Sequence, residues 1–148
     1  EAEFYLSVNP GEPLKPLGSV ASGGEISRVM LAVKTVLADE EDTPTLIFDE
    51  IDTGISGITA GKVGDRLRLI GKSRQVICIT HLPQIAATAD HHFLIRKKAE
   101  GTSVRTDVEM LDEAASVEEL ARLLGGANVT ERVMESAKEL KELAKCER

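Results

Sequence analysis

Asp49 and Glu50 close the apolar run TLIF, and His81 directly follows a second apolar run, QVICIT. In an open parallel sheet, ligands bind outside the carboxyl ends of the strands, so acids and a histidine at two such ends are candidates for chemistry. Adjacent residues at a strand end point in different directions; one carboxylate can hold a metal while its neighbour faces a reacting water. A magnesium ion completes its octahedron with water and phosphate oxygens, so a single aspartate, Asp49, suffices beside a nucleotide. A lone acid in such a place is often only the cap of the next helix. The combination of two buried strands, one ending in Asp-Glu and the other in His, points instead to a metal-phosphate site.

A third feature lies upstream, in SVASGGEISRVML at 19–31, where Gly23 and Gly24 precede a periodic helix. Ile26, Val29, Met30, Val33 and Leu37 recur at steps of three and four, which predicts a helix with that face buried. Ser22 followed three residues later by Glu25 is a capping box. Glycine costs a helix about 1 kcal/mol against alanine, and a cap does not ask for two of them. A first turn without side chains also lets an anion approach the backbone N–H groups and the positive end of the helix dipole. On these residues alone, the cap and the anion site both stay open.

These groups need strands and helices to hold them. FYLSV (4–8) reads as a short strand, and the turn-rich NPGEPLKPLG leads from it into the glycine-primed helix. TLIF, a helix over 57–71 with Ile58, Val63, Leu67 and Ile70 at helical spacing, and QVICIT form a parallel βαβ unit with both strands fully buried. A short helix near 83–89, strands at 92–97 and 103–110, and two C-terminal helices follow. The start signals of those two helices are Ser116 with Glu119, and Asn128 or Thr130 after Gly125-Gly126. Arg66, Arg68, Lys72 and Arg74 gather at the end of the 57–71 helix, where they complement its dipole. Arg96, Lys97 and Lys98 end a strand and guard its edge, and His91 and His92 are read as strand-edge residues. The acid-rich last helix reads as a solvated packing helix.

With 148 residues and 42% hydrophobic content, the chain is expected to form one domain over 1–148. A net charge of −7 argues against nucleic-acid binding through bulk electrostatics. No run reaches the length of a membrane span, and no leader pattern opens the sequence, so no membrane partner is expected. The two cysteines, Cys78 inside VICI and Cys146, lack pairing or metal spacing and fit a reducing cytosol, with Cys78 as a small buried hydrophobe. The first residue is Glu1 rather than methionine, which suggests an excised piece. A loop to cradle the nucleotide is missing. GITAGKV (57–63) is one residue short of a P-loop and ends in Val63, and GKS (71–73) has Arg66 where the first glycine belongs.

Taken together, these stretches resemble the ATP-binding-cassette (ABC) ATPases. ASGGE (21–25) resembles the signature motif, TLIFDE the Walker B strand, DTGIS (52–56) the D-loop and ITH (79–81) the switch-histidine loop, all in family order and at family spacing. Glu25 and the DEID wording bring the chain nearer to the SMC-like chromosome and repair ATPases than to transporters, which usually carry glutamine and DEPT. SGGEISRVMLAVK, LIFDEIDTGISG and THLPQIAATADHH are most similar to a bacterial DNA-repair member of that group.

The resemblance implies an α/β fold: the C-terminal lobe of an ABC-type P-loop NTPase head, with a mostly parallel sheet and flanking helices. Walker A would lie in an N-terminal lobe beyond a long coiled coil, so the isolated lobe is expected to be inactive. It implies ATP and Mg²⁺ as cofactors, with Ser22, Gly23, Gly24 and Glu25 meeting the γ-phosphate held by a second, identical head. Asp49 orders Mg²⁺ through water, Glu50 polarises the attacking water, and His81 senses the γ-phosphate. In the D-loop, Asp52, Thr53, Gly54 and Ser56 face the partner head; Ser56 stands where the family has aspartate, so Asp52 is a candidate for part of that role. The implied partners are the N-terminal lobe, a second head and, through the full-length protein, DNA. The implied place is the bacterial cytoplasm, at the nucleoid after DNA damage. Two other readings share the motifs, namely a nucleotide-gated clamp with little turnover and a transporter subunit.

Overall fold

In the computed structural model, residues 3–7, 11–37, 43–100 and 103–146 are described. They divide into two compact units, Glu1–Thr80 and His81–Arg148. Among the described residues the strands pair as three two-stranded sheets, one parallel and two antiparallel.

The first unit opens with β1 (Tyr5–Leu6) paired to β2 (Lys15–Pro16), a strand that the proline-rich stretch was not expected to hold. Pro16 can occupy it because this pair is only two residues long and a strand edge needs no donor there. Val8, Asn9 and Pro10 of the expected strand and loop lie outside the described residues. A one-turn helix, α1 (Leu17–Val20), leads to α2 (Gly23–Val36). The capping box is formed, since Ser22 accepts at Oγ from the Glu25 N–H and the Ser22 N–H donates to Glu25 Oε2 at 2.7 Å. The bonds that the Ser22 N–H and the Ser22 hydroxyl donate to the Glu25 carboxylate hold it below its usual range, and Arg28 adds to the effect.

The expected βαβ unit is present. β3 (Thr45–Phe48) runs parallel to β4 (Gln75–Cys78) in the register Thr45↔Gln75 to Phe48↔Cys78, and α3 (Gly57–Gly71) connects them. α3 packs on α2 and β4 through Ala60, Val63, Leu67 and Ile70. Ile58, expected on that face, is 83% exposed. Only one face is covered: in β3 Leu46 and Phe48 are buried and Ile47 is exposed, and in β4 Val76 and Cys78 are half-buried while Ile77 is exposed, as is Ile79 just beyond it. The continuous apolar run suggested cover on both faces, but within this unit the α3 crossover covers one. Near the end of α3, Arg68 lies 3.8 Å from Asp65, and Arg74 donates to the Thr43 carbonyl.

The second unit holds α4 (Pro83–Ala86), β5 (His92–Glu100), β6 (Ser103–Leu111), α5 (Glu113–Gly125) and α6 (Glu131–Cys146). Its core joins Ala86, Ala87, Leu120, Ala121 and Ala137, with Val117, Leu123, Val133, Met134, Leu140 and Ala144 around them. The alanines let the helices approach closely. β5 extends three residues past its expected end, so Arg96, Lys97 and Lys98 sit mid-strand rather than ending it. Lys98 and Arg105 flank Asp107 at 2.9 and 2.8 Å, and the Lys98 bond holds that carboxyl below its usual range.

α5 starts earlier than expected. Its cap is Asp112, directly after β6, whose carboxylate accepts from the Ala115 N–H at 2.8 Å. Ser116 and Glu119 are instead buried inside the helix. Ser116 Oγ lies 3.0 Å from His92 Nδ1, and Glu119 holds Arg122 through two bonds. Burial, then Lys141, push the His92 imidazole below its ordinary range, so it is a half-buried packing residue rather than a bare edge. Thr130, not Asn128, caps α6. α6 buries Ala137 and Lys141 and leaves most of its acids exposed, as expected of a packing helix.

Candidate active site

Helix α2 docks onto this chain with the side opposite the one its apolar spacing predicted. At about 100° per residue, Gly24, Ser27, Arg28 and Leu31 share one stripe, and Ile26, Met30, Val33 and Leu37 share the reverse stripe. Gly24 and Leu31 are buried, whereas Ile26 and Met30 are 36% and 43% exposed. The inward stripe is largely polar because its partner is backbone. Ser27 Oγ donates to the Asp49 carbonyl at 3.0 Å, and Arg28 Nη1 donates to the carbonyls of Ile51 at 3.0 Å and Thr53 at 2.8 Å. Three alternate carbonyls of the turn after β3 are thereby held by one helix face.

That turn carries the paired carboxylates. Glu50 has φ +57°, a left-handed backbone that costs a non-glycine residue of order 1–3 kcal/mol. The Glu50 N–H donates to Asp49 Oδ1 at 2.9 Å, and the Glu50 carbonyl accepts from the Thr53 N–H at 3.0 Å. Ile51 is fully buried and anchors the turn, a contribution of about 1.5–3 kcal/mol for a side chain of that size. Gly54, at φ +76°, carries the chain out of the turn. Asp49 and Glu50 are both exposed at the end of β3.

The glycines have a reason for being there that sequence reasoning missed. A Cβ on Gly24 would lie 2.8 Å from the Glu50 carbonyl oxygen and 2.9 Å from Thr53 Cβ, and one on Gly23 would lie 2.6 Å from Glu50 Oε2. The first turn of α2 thus rests directly on the residue proposed to act on water. Periodicity could not reveal this contact, since glycine contributes nothing to an apolar pattern; the adjacent pair was the only signal. Gly24→Ala is expected to destabilise the chain by about 1–3 kcal/mol, the cost of overpacking against rigid backbone. Gly61→Ala, inside α3 where an added Cβ meets nothing within 4 Å, is expected to stabilise it by about 0.5–1 kcal/mol. Urea unfolding followed by circular dichroism reads both signs.

Asp52 is 4% exposed and accepts from Thr80 Oγ1 at 2.7 Å, which ties the turn to the end of β4. Thr53 and Ser56 are exposed. Burial, with Asp52 and Asp49 adding to it, pushes the Cys78 thiol up to about 12, so it is an inert packing group. Ser22, Gly23, Gly24, Glu25, Asp49, Glu50 and the D-loop residues lie together in the first unit, and His81, exposed, is the first residue of the second. Among the described residues, no group of three or more His, Cys, Asp or Glu could hold a metal by itself. The donor set suits a water-ligated Mg²⁺ beside a phosphate rather than a protein-caged ion.

A glycine-primed helix packed on a strand-end carboxylate pair, within a βαβ unit, is the arrangement expected of a lobe of an ABC-type ATPase head. The fold is similar to that of a solved structure reported under "Structural biochemistry of ATP-driven dimerization and DNA stimulated activation of SMC ATPases", with TM-score 0.53 and 21% identity over 86% of this chain and 83% of that one. Over nearly its whole length the chain is similar to part of the DNA repair protein RecN. It is 52% identical over 144 residues to RecN of Halalkalibacterium halodurans, 50% over 137 to that of Vibrio cholerae and 45% over 138 to that of Bacillus subtilis. These alignments take in 97%, 93% and 93% of this chain and 26%, 25% and 24% of the relatives. The chain therefore spans about a quarter of the length of the proteins it matches. No family model matches it.

Proposed function

We propose that this chain is the C-terminal lobe, a single domain over 1–148, of a RecN-like ATPase head that closes on ATP against a second head and opens on hydrolysis. One observation carries the reading: the glycine turn at Ser22–Glu25 and the exposed Asp49–Glu50 pair are built into one another, by direct contact and by the Ser27 and Arg28 bonds. Mg²⁺, when bound, supplies charge neutralisation on the phosphate oxygens, with Asp49 holding it through water. Glu50 accepts a hydrogen bond from the attacking water and polarises it, and His81 contacts the γ-phosphate. Ser22, Gly23 and Gly24 offer helix N–H groups and the positive dipole end to the γ-phosphate on the second head. Thr53 and Ser56 are the D-loop residues free to face that head, whereas buried Asp52 serves the turn from within.

The N-terminal lobe is the natural cover for the exposed stripe of α2 and the open face of β3 and β4, which present Ile26, Met30, Ile47 and Ile77, with Ile79 just beyond β4. The full-length protein would act on DNA in double-strand-break repair, in the bacterial cytoplasm at the nucleoid. No helix among the described residues is long and apolar enough to cross a membrane.

Ser22→Arg tests the reading. In the chain rejoined to a Walker A lobe, the arginine fills the turn that is to receive the partner's phosphate. ATP binding should stay within about twofold and ATP-driven association should weaken tenfold or more, read by light scattering on protein shown to be folded. A purely capping role predicts a loss of only about 1 kcal/mol of stability, with association intact.

A further inference from the structure

We propose that Arg28 is a positioning residue for ATP hydrolysis, acting through the turn that carries Glu50; the inference rests on the reading of Glu50 as the group that polarises water. Its Nη1 bridges the carbonyls of Ile51 and Thr53 at 3.0 and 2.8 Å. A planar, permanently charged guanidinium holds two acceptors in fixed geometry, which a flexible ammonium or a water does less rigidly. The turn needs such fixing because it contains a left-handed glutamate and a left-handed glycine.

Two further anchors, buried Ile51 and the bond from Thr80 to Asp52, pin the turn from inside the unit. Arg28 pins it from α2, four residues after Gly24, or about 6 Å along the axis. The helix that begins at the proposed phosphate-facing turn is thereby linked to the backbone on which Glu50 sits. Contact of an anion with Ser22–Gly24 that shifts α2 by a fraction of an ångström moves the Ile51 and Thr53 carbonyls with it, and so re-aims the carboxylate. Misplacement of a reacting group by about 1 Å costs up to roughly a hundredfold in rate.

The test uses the full-length protein carrying this chain, with Arg28→Gln, Arg28→Lys, Glu50→Gln and the Arg28→Gln/Glu50→Gln double variant. Arg28→Gln should lower kcat for ATP about tenfold to a hundredfold, with KM within about twofold, and Arg28→Lys should recover part of the loss. The double variant should be no slower than Glu50→Gln alone, because a group acting through Glu50 has nothing left to position. Amide hydrogen exchange in peptides covering 49–56 should quicken in Arg28→Gln while peptides from 103–146 stay unchanged. Quickened exchange with parental kcat would overturn the inference and leave the reading of Glu50 standing, as would a double variant whose losses multiply. Parental turnover in Glu50→Gln alone would sink the reading of Glu50, and the inference with it. Should Arg28→Gln fail to fold, Arg28→Lys and its double with Glu50→Gln carry the same comparison.

Discussion

Glu50→Gln, in the chain rejoined to its Walker A lobe, should hydrolyse ATP at least about a hundredfold more slowly while binding it as before, the scale on which a positioned base contributes. The substitution removes the charge proposed to polarise water and keeps the shape of the side chain. The backbone bonds that fix the turn, from the Thr53 N–H to the Glu50 carbonyl and from the Glu50 N–H to Asp49 Oδ1, do not depend on the carboxylate. Stability should therefore change little, and the loss should fall on kcat. On the proposed cycle, in which ATP closes the heads and hydrolysis opens them, the variant should also accumulate as closed head pairs. Single-turnover hydrolysis and light scattering on the same sample read the two effects. Unchanged turnover would remove Glu50 from the chemistry.

Much of this arrangement was legible in the sequence. The runs TLIF and QVIC and the spacing of Val63, Leu67 and Ile70 were enough to give a parallel strand pair with a helix between them. Ser22 with Glu25 gave the start of α2 to the residue. Which face of α2 docks within the chain was not legible. Apolar periodicity points to where hydrophobic side chains gather, and here that stripe faces away while Ser27 and Arg28 dock on backbone carbonyls. A hydrogen-bonded face leaves no trace in a hydrophobic pattern.

The start of α5 was misread for a related reason. Ser116 and Glu119 have the spacing of a capping box, but Asp112 four residues earlier has an equal claim, and the end of β6 at Leu111 decides in its favour. Strand ends depend on pairing with a distant segment, which local spacing cannot supply. Asp52 was a candidate for part of the D-loop role because Ser56 stands where the family has aspartate; that it is buried and bonded to Thr80, 28 residues on, was not legible locally.

The chain alone should neither bind ATP tightly nor hydrolyse it. It offers an exposed carboxylate pair and a glycine turn. Its GITAGKV and GKS stretches do not complete a P-loop, so no cluster of backbone amides with a lysine is supplied to grip β- and γ-phosphates. On the proposed reading the glycine turn addresses a nucleotide held by another head, and a single helix terminus interacts with an anion by roughly 0.3–1 kcal/mol, up to about 2 when partly buried. Micromolar affinity needs about 8 kcal/mol. Most of that must come from groups on the N-terminal lobe, and adding that lobe, as a separate chain or through a linker, should restore both binding and turnover. Calorimetric titration of the purified 148-residue chain with ATP and Mg²⁺, with and without the N-terminal lobe, measures this directly. No heat of binding is expected at micromolar concentrations for the chain alone, and a saturable transition once the lobe is present; micromolar binding by the chain alone would mean that the nucleotide is gripped by this lobe itself.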